Sequence, residues 1–203
     1  MQQNDSFDVL NIRRFLESDN PKLGEAALRE YLSEFSCPLN PEVERFLKEQ
    51  AIDFAKKHQA VTYLVVSQED NVILGYFAIT IKPLVVNGEP FSNTVKRKFT
   101  RFSEINKDDQ TYNMAAYLIA QLGKNFSEEA VGRITGTKLL EAAISQVQAI
   151  QYQAGGMVSF VEAENKEKVL NFYTNYGYKR FASRKTTTKE QEPHELIQLL
   201  HIV

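Results

Sequence analysis

The sequence predicts an α+β fold, a mixed and mostly antiparallel sheet flanked by helices. Three observations predict it. Runs rich in β-branched and aromatic residues at 61–67 and 72–81 flank the turn Gln68-Glu69-Asp70-Asn71 and read as a hairpin. Residues 117–149 read as strand, glycine-bearing turn and helix. A strand, a helix and closing strands follow, so antiparallel pairing comes first and a β-α-β-α-β run after it.

Each element has its own signal. Residues 9–17 and 22–34 carry amphipathic spacing and predict two short helices split by Pro21, a helical extension over 1–35 ahead of a main domain over 36–203. After the break Cys37-Pro38-Leu39-Asn40-Pro41, proline suits the first turn of a helix capped by Asn40. Val43, Phe46, Leu47, Ala51, Phe54 and Ala55 give that helix one apolar face, and His58 ends it. Residues 84–113 hold an Asn87-Gly88-Glu89-Pro90 turn and the basic run Lys96-Arg97-Lys98, and fit either a helix or a long excursion. The apolar run Tyr117-Leu118-Ile119-Ala120-Gln121-Leu122 is a strand. From Thr137 onward, Leu139, Leu140, Ala143, Ile144 and Val147 recur at helical spacing. Gly155 and Gly156 precede a strand over 157–162, and a helix over 166–176 ends at Gly177, the residue expected for a left-handed cap. Residues 178–183 and 195–203 read as closing strands, with Thr186-Thr187-Thr188 in a polar loop between them.

Composition narrows the function. A hydrophobic content of 43% suits a sizeable core. With 24 basic against 26 acidic residues, no whole-protein field recruits nucleic acid, so only a local patch would. The one cysteine, Cys37, excludes an intramolecular disulfide framework. The absence of a long apolar run or a signal-like start makes cytoplasmic location, with no membrane, the expectation. His58, His194 and His201 lack ligand-like spacing with each other or with Cys37, which predicts no metal site. No Gly-x-Ser-x-Gly or P-loop lysine motif occurs.

The strand, the turn carrying Gly132 and Gly136, and the helix behind it form an anion site, because a helix start offers unpaired N–H groups and partial positive charge. A pyrophosphate-bearing ligand fits there. Gly123 inside an apolar run marks a bulge or a close backbone approach. Arg133 would add a cation to the bound oxygens.

From about residue 40 to 203 the order of elements and two motifs resemble the GNAT N-acetyltransferases. Their loop reads Gln/Arg-x-x-Gly-x-Gly/Ala with a Leu-Leu pair three residues on. Here Leu139-Leu140 sets the register, so Gly136 fills the last position, Ile134 replaces the usual glycine and Val131 the usual Gln or Arg. Ile134 must then point away from the pyrophosphate. The second motif is Phe172-Tyr173-x-x-x-Gly177-Tyr178.

The resemblance implies acetyl-CoA as co-substrate and no metal. It implies that Val131, Gly132, Arg133, Ile134, Thr135, Gly136 and Thr137 cradle the pyrophosphate. The backbone of Leu122, Gly123 and Lys124 pairs with the pantetheine amides, where the family opens a gap beside this strand. Tyr173 is the acid that protonates the departing thiolate. A family asparagine that touches the pantetheine arm aligns with Lys166, one residue after Asn165. Glu162 and Glu164 are candidate bases or amine-orienting groups. The front of the chain resembles the toxin–antitoxin subgroup, in Phe35-Ser-Cys37-Pro-Leu-Asn40, Thr62-Tyr63-Leu64-Val65 and Val72-Ile73-Leu74-Gly75-Tyr76. That subgroup acetylates aminoacyl-tRNA and pairs with an antitoxin. The near-neutral, slightly acidic charge and the 84–113 segment depart from it. A small-molecule or protein amine acceptor and a non-catalytic acyl-CoA-binding module remain open beside it. Residues 1–35 would cover the sheet, form a homodimer contact or bind a partner.

Overall fold

The computed structural model describes residues 6–20, 23–188 and 191–203. In chain order the elements are β1 (Phe7–Asn11), α1 (Arg13–Leu16), α2 (Glu25–Ser33), α3 (Pro41–Arg45), a π-helical turn (Phe46–Gln50), α4 (Ala51–Lys56), β2 (Val61–Ser67) and β3 (Ile73–Asn87). Then come α5 (Asn93–Phe99), β4 (Ile105–Asn106), β5 (Thr111–Lys124), α6 (Gly136–Ala154), β6 (Val158–Glu164), α7 (Glu167–Asn175), β7 (Lys179–Thr188) and β8 (Gln191–Ile202). Hydrogen-bonded strands follow the order β1-β2-β3-β5-β6-β8-β7, with β4 pairing to β5. The β5–β6 pair is parallel, while β1–β2, β2–β3, β4–β5, β6–β8 and β7–β8 are antiparallel. The sheet is mixed and mostly antiparallel, as the sequence predicts. The chain divides into two compact units, residues 1–80 with 119–146, and 81–118 with 147–203.

In the first unit, the Asn40 side chain accepts the Val43 N–H at 3.3 Å and Pro41 opens the helix, the expected cap. The buried residues Val43, Phe46, Leu47, Ala51, Ile52 and Ala55 pack with Ile12, Leu28, Leu32, Phe35, Leu64, Val66 and Tyr76. Tyr76 is fully buried and donates its hydroxyl to Val43 O at 2.6 Å, and its ring meets Phe35 edge-on at 5.2 Å. The 61–81 hairpin forms as predicted, with Ser67 N–H donating to Val72 O at 2.9 Å across the turn.

The helix expected over 9–17 is a correction. Residues 7–11 pair along β2 as an edge strand, and only the single turn Arg13–Leu16 is helical. The free edge of β2 offers backbone partners that outweigh a weak helical periodicity in so short a segment. Of the helix expected over 22–34, Glu25–Ser33 forms. The proposed break at Pro21, and Lys22 with it, lie outside the described residues.

In the second unit, Leu84, Val86, Phe91, Phe99, Tyr112, Met114, Val158, Phe160, Phe181 and Leu200 form the core. The 84–113 segment resolves into three pieces. β3 runs on to Asn87, with Leu84 and Val86 buried and Val85 exposed in the two-residue period of a strand. The short helix α5 and the β4–β5 hairpin follow. Lys82-Pro83 hides this continuation, because proline inside a run reads as a strand stop. The Thr186-Thr187-Thr188 loop is also corrected. The β7–β8 register continues to Thr188↔Gln191, and β-branched threonines suit a ladder once a partner strand is present.

Candidate active site

The parallel ladder between β5 and β6 has two registered pairs, Tyr117↔Ser159 and Leu118↔Phe160. Residues 119–124 of β5 run on past it. There, in the first unit, Gly123 is buried and makes the close approach expected of it. A Cβ at 123 would collide with Val43 Cγ1 and stand 3.2 Å from Tyr76 Cε1 and 3.4 Å from Phe35 Cζ. Gly75 faces the same strand, where a Cβ would lie 2.9 Å from Gly123 O and 3.1 Å from both Leu139 methyls. Leu122 and Lys124 flank Gly123, and the Lys124 ammonium sits 5.2 Å from the Phe126 ring.

The loop after β5 is held by a residue that sequence reasoning passed over. Asn125 is buried, and its side-chain amide donates to Ile73 O at 2.7 Å. Its carbonyl accepts Ser36 N–H at 2.9 Å and Ser127 N–H at 3.0 Å, while its own N–H donates to Leu74 O at 2.9 Å. Asparagine directly after a strand, followed by Phe-Ser, is the only local signal for it. Ser127 O then accepts the N–H groups of Ala130 and Val131, and Gly132 turns the chain at φ +80°.

Val131 is exposed and Ile134 is buried, its side chain in the protein interior. The Arg133 guanidinium lies against the protein itself. It contacts both Asp70 oxygens at 2.9 and 3.1 Å, Ser67 Oγ at 2.9 Å and Glu129 O at 2.9 Å. The hydrogen bonds from Arg133 first, and from Ser67 next, hold the Asp70 carboxyl well below the usual carboxylate range. Thr135 caps α6, its O accepting Leu139 N–H at 3.1 Å and its Oγ1 accepting Lys138 N–H at 3.2 Å. Gly136 and Thr137 occupy the first helical positions, where N–H groups have no intrahelical acceptor and the helix end carries partial positive charge.

In the second unit, α7 ends in the predicted cap. Gly177 adopts φ +101°, its N–H donates to Thr174 O at 3.0 Å, and Tyr178 N–H donates to Tyr173 O at 3.1 Å. This double closure fixes the Tyr173 backbone. Its ring packs edge-on against Phe172 at 4.9 Å and Tyr178 at 5.6 Å. Burial pushes the Tyr173 phenol up to about 12, and its hydroxyl makes no hydrogen bond among the described residues. Tyr178 is buried and shares a 3.1 Å hydrogen bond with Ser159 Oγ.

Glu162 is an engaged carboxylate, receiving Arg184 Nη2 at 2.8 Å and Gln198 Nε2 at 2.8 Å. Glu164 pairs with Lys166 at 2.6 Å, and exposed Asn165 donates to Glu195 at 3.3 Å. The candidate residues therefore fall into two sets. Leu122, Gly123, Lys124 and residues 131–137 belong to the first unit, and Tyr173, Glu162 and Asn165 to the second. Among the described residues no cluster of three or more His, Cys, Asp or Glu could hold a metal ion, and no helix is long and apolar enough to cross a membrane.

No family model matches the chain, and no curated protein matches it by sequence. Solved structures do match. AtaT complexed with acetyl-methionyl-tRNAfMet is 16% identical with a TM-score of 0.61, the match covering 95% of this chain and 94% of that one. A tyrosine-to-phenylalanine variant of the AtaT toxin, bound to the C-terminus of the antitoxin AtaR and acetyl-CoA, is 16% identical with a TM-score of 0.56, covering 98% and 94%. A tyrosine-to-phenylalanine variant of KacT is 19% identical with a TM-score of 0.61, covering 95% and 94%. The chain has the fold of the AtaT and KacT toxins, the GNAT fold that its motifs resemble.

Proposed function

We propose that the chain is an acetyl-CoA-dependent N-acetyltransferase that moves the acetyl group to a primary amine by direct attack. The likeness to AtaT along nearly the whole chain carries this reading, since one AtaT structure holds acetyl-CoA. The start of α6 supports it, with the N–H groups of Gly136 and Thr137 as donors to pyrophosphate and residues 131–135 shaping the approach. The backbone of Leu122, Gly123 and Lys124 serves the pantetheine amides, and Asn165 the pantetheine arm.

In direct transfer the neutral amine nitrogen bonds to the thioester carbon and the carbon–sulfur bond breaks. The sulfur takes a proton from Tyr173, and the new amide nitrogen sheds its extra proton to solvent. A phenol raised to about 12 keeps its proton at every working pH, so the acid is always loaded. Glu162, held in place by Arg184 and Gln198, faces the amine as its orienting group or base.

A second, narrower reading has a specific observation behind it. The AtaT structures carry acetyl-methionyl-tRNAfMet and an antitoxin segment, so the amine of an aminoacyl-tRNA is the favoured acceptor and a small antitoxin the favoured partner.

Thermal-shift titration with acetyl-CoA, with CoA and ATP as controls, is the test. Ligand at a hundred times its Kd stabilises the fold by about 2.7 kcal/mol, a rise of about 5 to 10 °C for a chain of this size. A rise with acetyl-CoA and CoA but not ATP supports the transferase reading. No rise at millimolar acetyl-CoA rejects it. Binding without transfer to any amine leaves the non-catalytic module.

A further inference from the structure

The stretch from 92 to 103 takes no part in the chemistry above, yet it is built in an unusual way. Phe99 and Phe102 interleave with its cations, and the structure separates the two rings. Phe99 is fully buried, meeting Phe91 edge-on at 5.3 Å and Tyr112 at 5.4 Å, so apolar contacts fasten α5 to its unit. Phe102 is 52% exposed, a large ring held in water.

The cations of this stretch are not needed to hold it in place. Lys96, Arg97, Lys98 and Arg101 fall between Glu89 and Glu104 with no acidic residue among them. Arg97, Lys98 and Arg101 are exposed, Lys96 is half-buried, and none of the four forms an ion pair among the described residues. Four like charges within the six residues 96–101 repel one another. Three cations in the last turn of α5 do favour its dipole. One cation would serve that purpose, and Arg101 already lies beyond the helix end.

We propose that Lys96, Arg97, Lys98 and Arg101 with Phe102 form a docking surface for a single-stranded polynucleotide. The cations take successive phosphates and an unpaired base stacks on Phe102. An anionic membrane fits less well, because the apolar residues of α5, Val95 and Phe99, are turned into the core rather than toward solvent. The surface stands whichever amine is acetylated, and an RNA acceptor would be held at two places.

Fluorescence anisotropy of the full chain with short labelled oligoribonucleotide, oligodeoxyribonucleotide and hairpin duplex, across about 50 to 200 mM salt, tests this. Both single strands should bind more tightly than the duplex, and log K should fall linearly with log salt. The triple change Lys96→Gln, Arg97→Gln, Arg101→Gln should lower that slope by about 2. Phe102→Ser should weaken binding several-fold at an unchanged slope, and Arg97→Lys with Arg101→Lys should keep the slope. RNA preference would assign the strand to RNA; equal affinity would assign it to either polymer. An unchanged slope in a triple variant that retains its circular dichroism overturns the proposal, as does tighter binding of polyglutamate than of either oligonucleotide. Loss of the acetyl-CoA thermal shift in the unmodified chain would reject the transferase reading and leave this one standing.

Discussion

Arg133 grips Asp70 with two prongs, Nη1 to Oδ2 at 2.9 Å and Nη2 to Oδ1 at 3.1 Å, although 63 residues separate them in the chain. The pair ties the loop ahead of α6 to the β2–β3 turn. Through Asp70, Ser67 and Glu129 O, the Arg133 guanidinium orders the backbone of its own loop.

Asp70→Asn should therefore weaken acetyl-CoA binding about 3- to 10-fold, since the ligand must then order the loop itself. Calorimetric titration reads this directly. The pH dependence follows from the lowered carboxyl. Its stabilising contribution is complete above the unfolded value of about 3.9 and is lost as pH falls toward the folded one. The melting gap between wild type and Asp70→Asn should be constant from neutral pH down to about 5 and shrink below about 4. A gap independent of pH would show that the ion pair contributes nothing.

Tyr173→Phe should lower kcat by about 10²- to 10⁴-fold. KM for acetyl-CoA should stay within about twofold, as expected for a group acting in the transition state alone. Because the hydroxyl has no partner among the described residues, the melting temperature should hold. The wild-type pH–rate profile should show no falling limb from this phenol before about pH 11, since burial raises it to about 12. Undiminished kcat in the variant would remove Tyr173 from the mechanism.

Gly123→Ala should destabilise the chain by about 1–3 kcal/mol, because a methyl there meets Val43, Tyr76 and Phe35 in a packed core. That corresponds to a melting temperature lower by about 3 to 10 °C. Pairing it with Val43→Ala, which removes the colliding methyl, should recover part of the loss.

Ser159→Ala or Tyr178→Phe should each cost about 1–3 kcal/mol by leaving a buried hydroxyl unpaired. The double variant should cost less than the sum, which a double-mutant cycle measures. Burial raises the Tyr178 phenol while the Ser159 bond lowers it, with a net rise. Its contribution is complete below the unfolded value of about 10 and fades as pH climbs, so Tyr178→Phe should flatten alkaline unfolding.

What was legible in the sequence was what local chemistry decides. Asn40-Pro41 announced a capped helix, the Gln68–Asn71 turn announced a hairpin, and Gly177 announced a left-handed cap. Each depends on residues within a few positions of one another. The order of elements then led to the GNAT fold. Contacts between distant segments stayed hidden. Arg133 gave no sign of Asp70, which lies far back in the chain, and Asn125 looked like an ordinary loop residue because its partners are Ser36, Ile73 and Leu74. β1 was masked for the same reason, since a five-residue strand is defined by the β2 edge it joins. Glu162 gave no sign of Arg184 or Gln198, which reach it from other strands.

The π-helical turn Phe46–Gln50 works as a phase slip in the helix that starts at Pro41. One surplus residue there advances the downstream stripe by about 100° relative to an uninterrupted α-helix. Val43, Phe46 and Leu47 ahead of the slip, and Ala51, Ile52 and Ala55 behind it, thereby keep a common buried side. A one-residue deletion between 46 and 50 would therefore restore a regular α-helix with both halves still facing the core. Forcing regular α-helical bonding through 46–50 at full length would instead turn Ala51, Ile52 and Ala55 away from it, with composition, charge and helical propensity untouched.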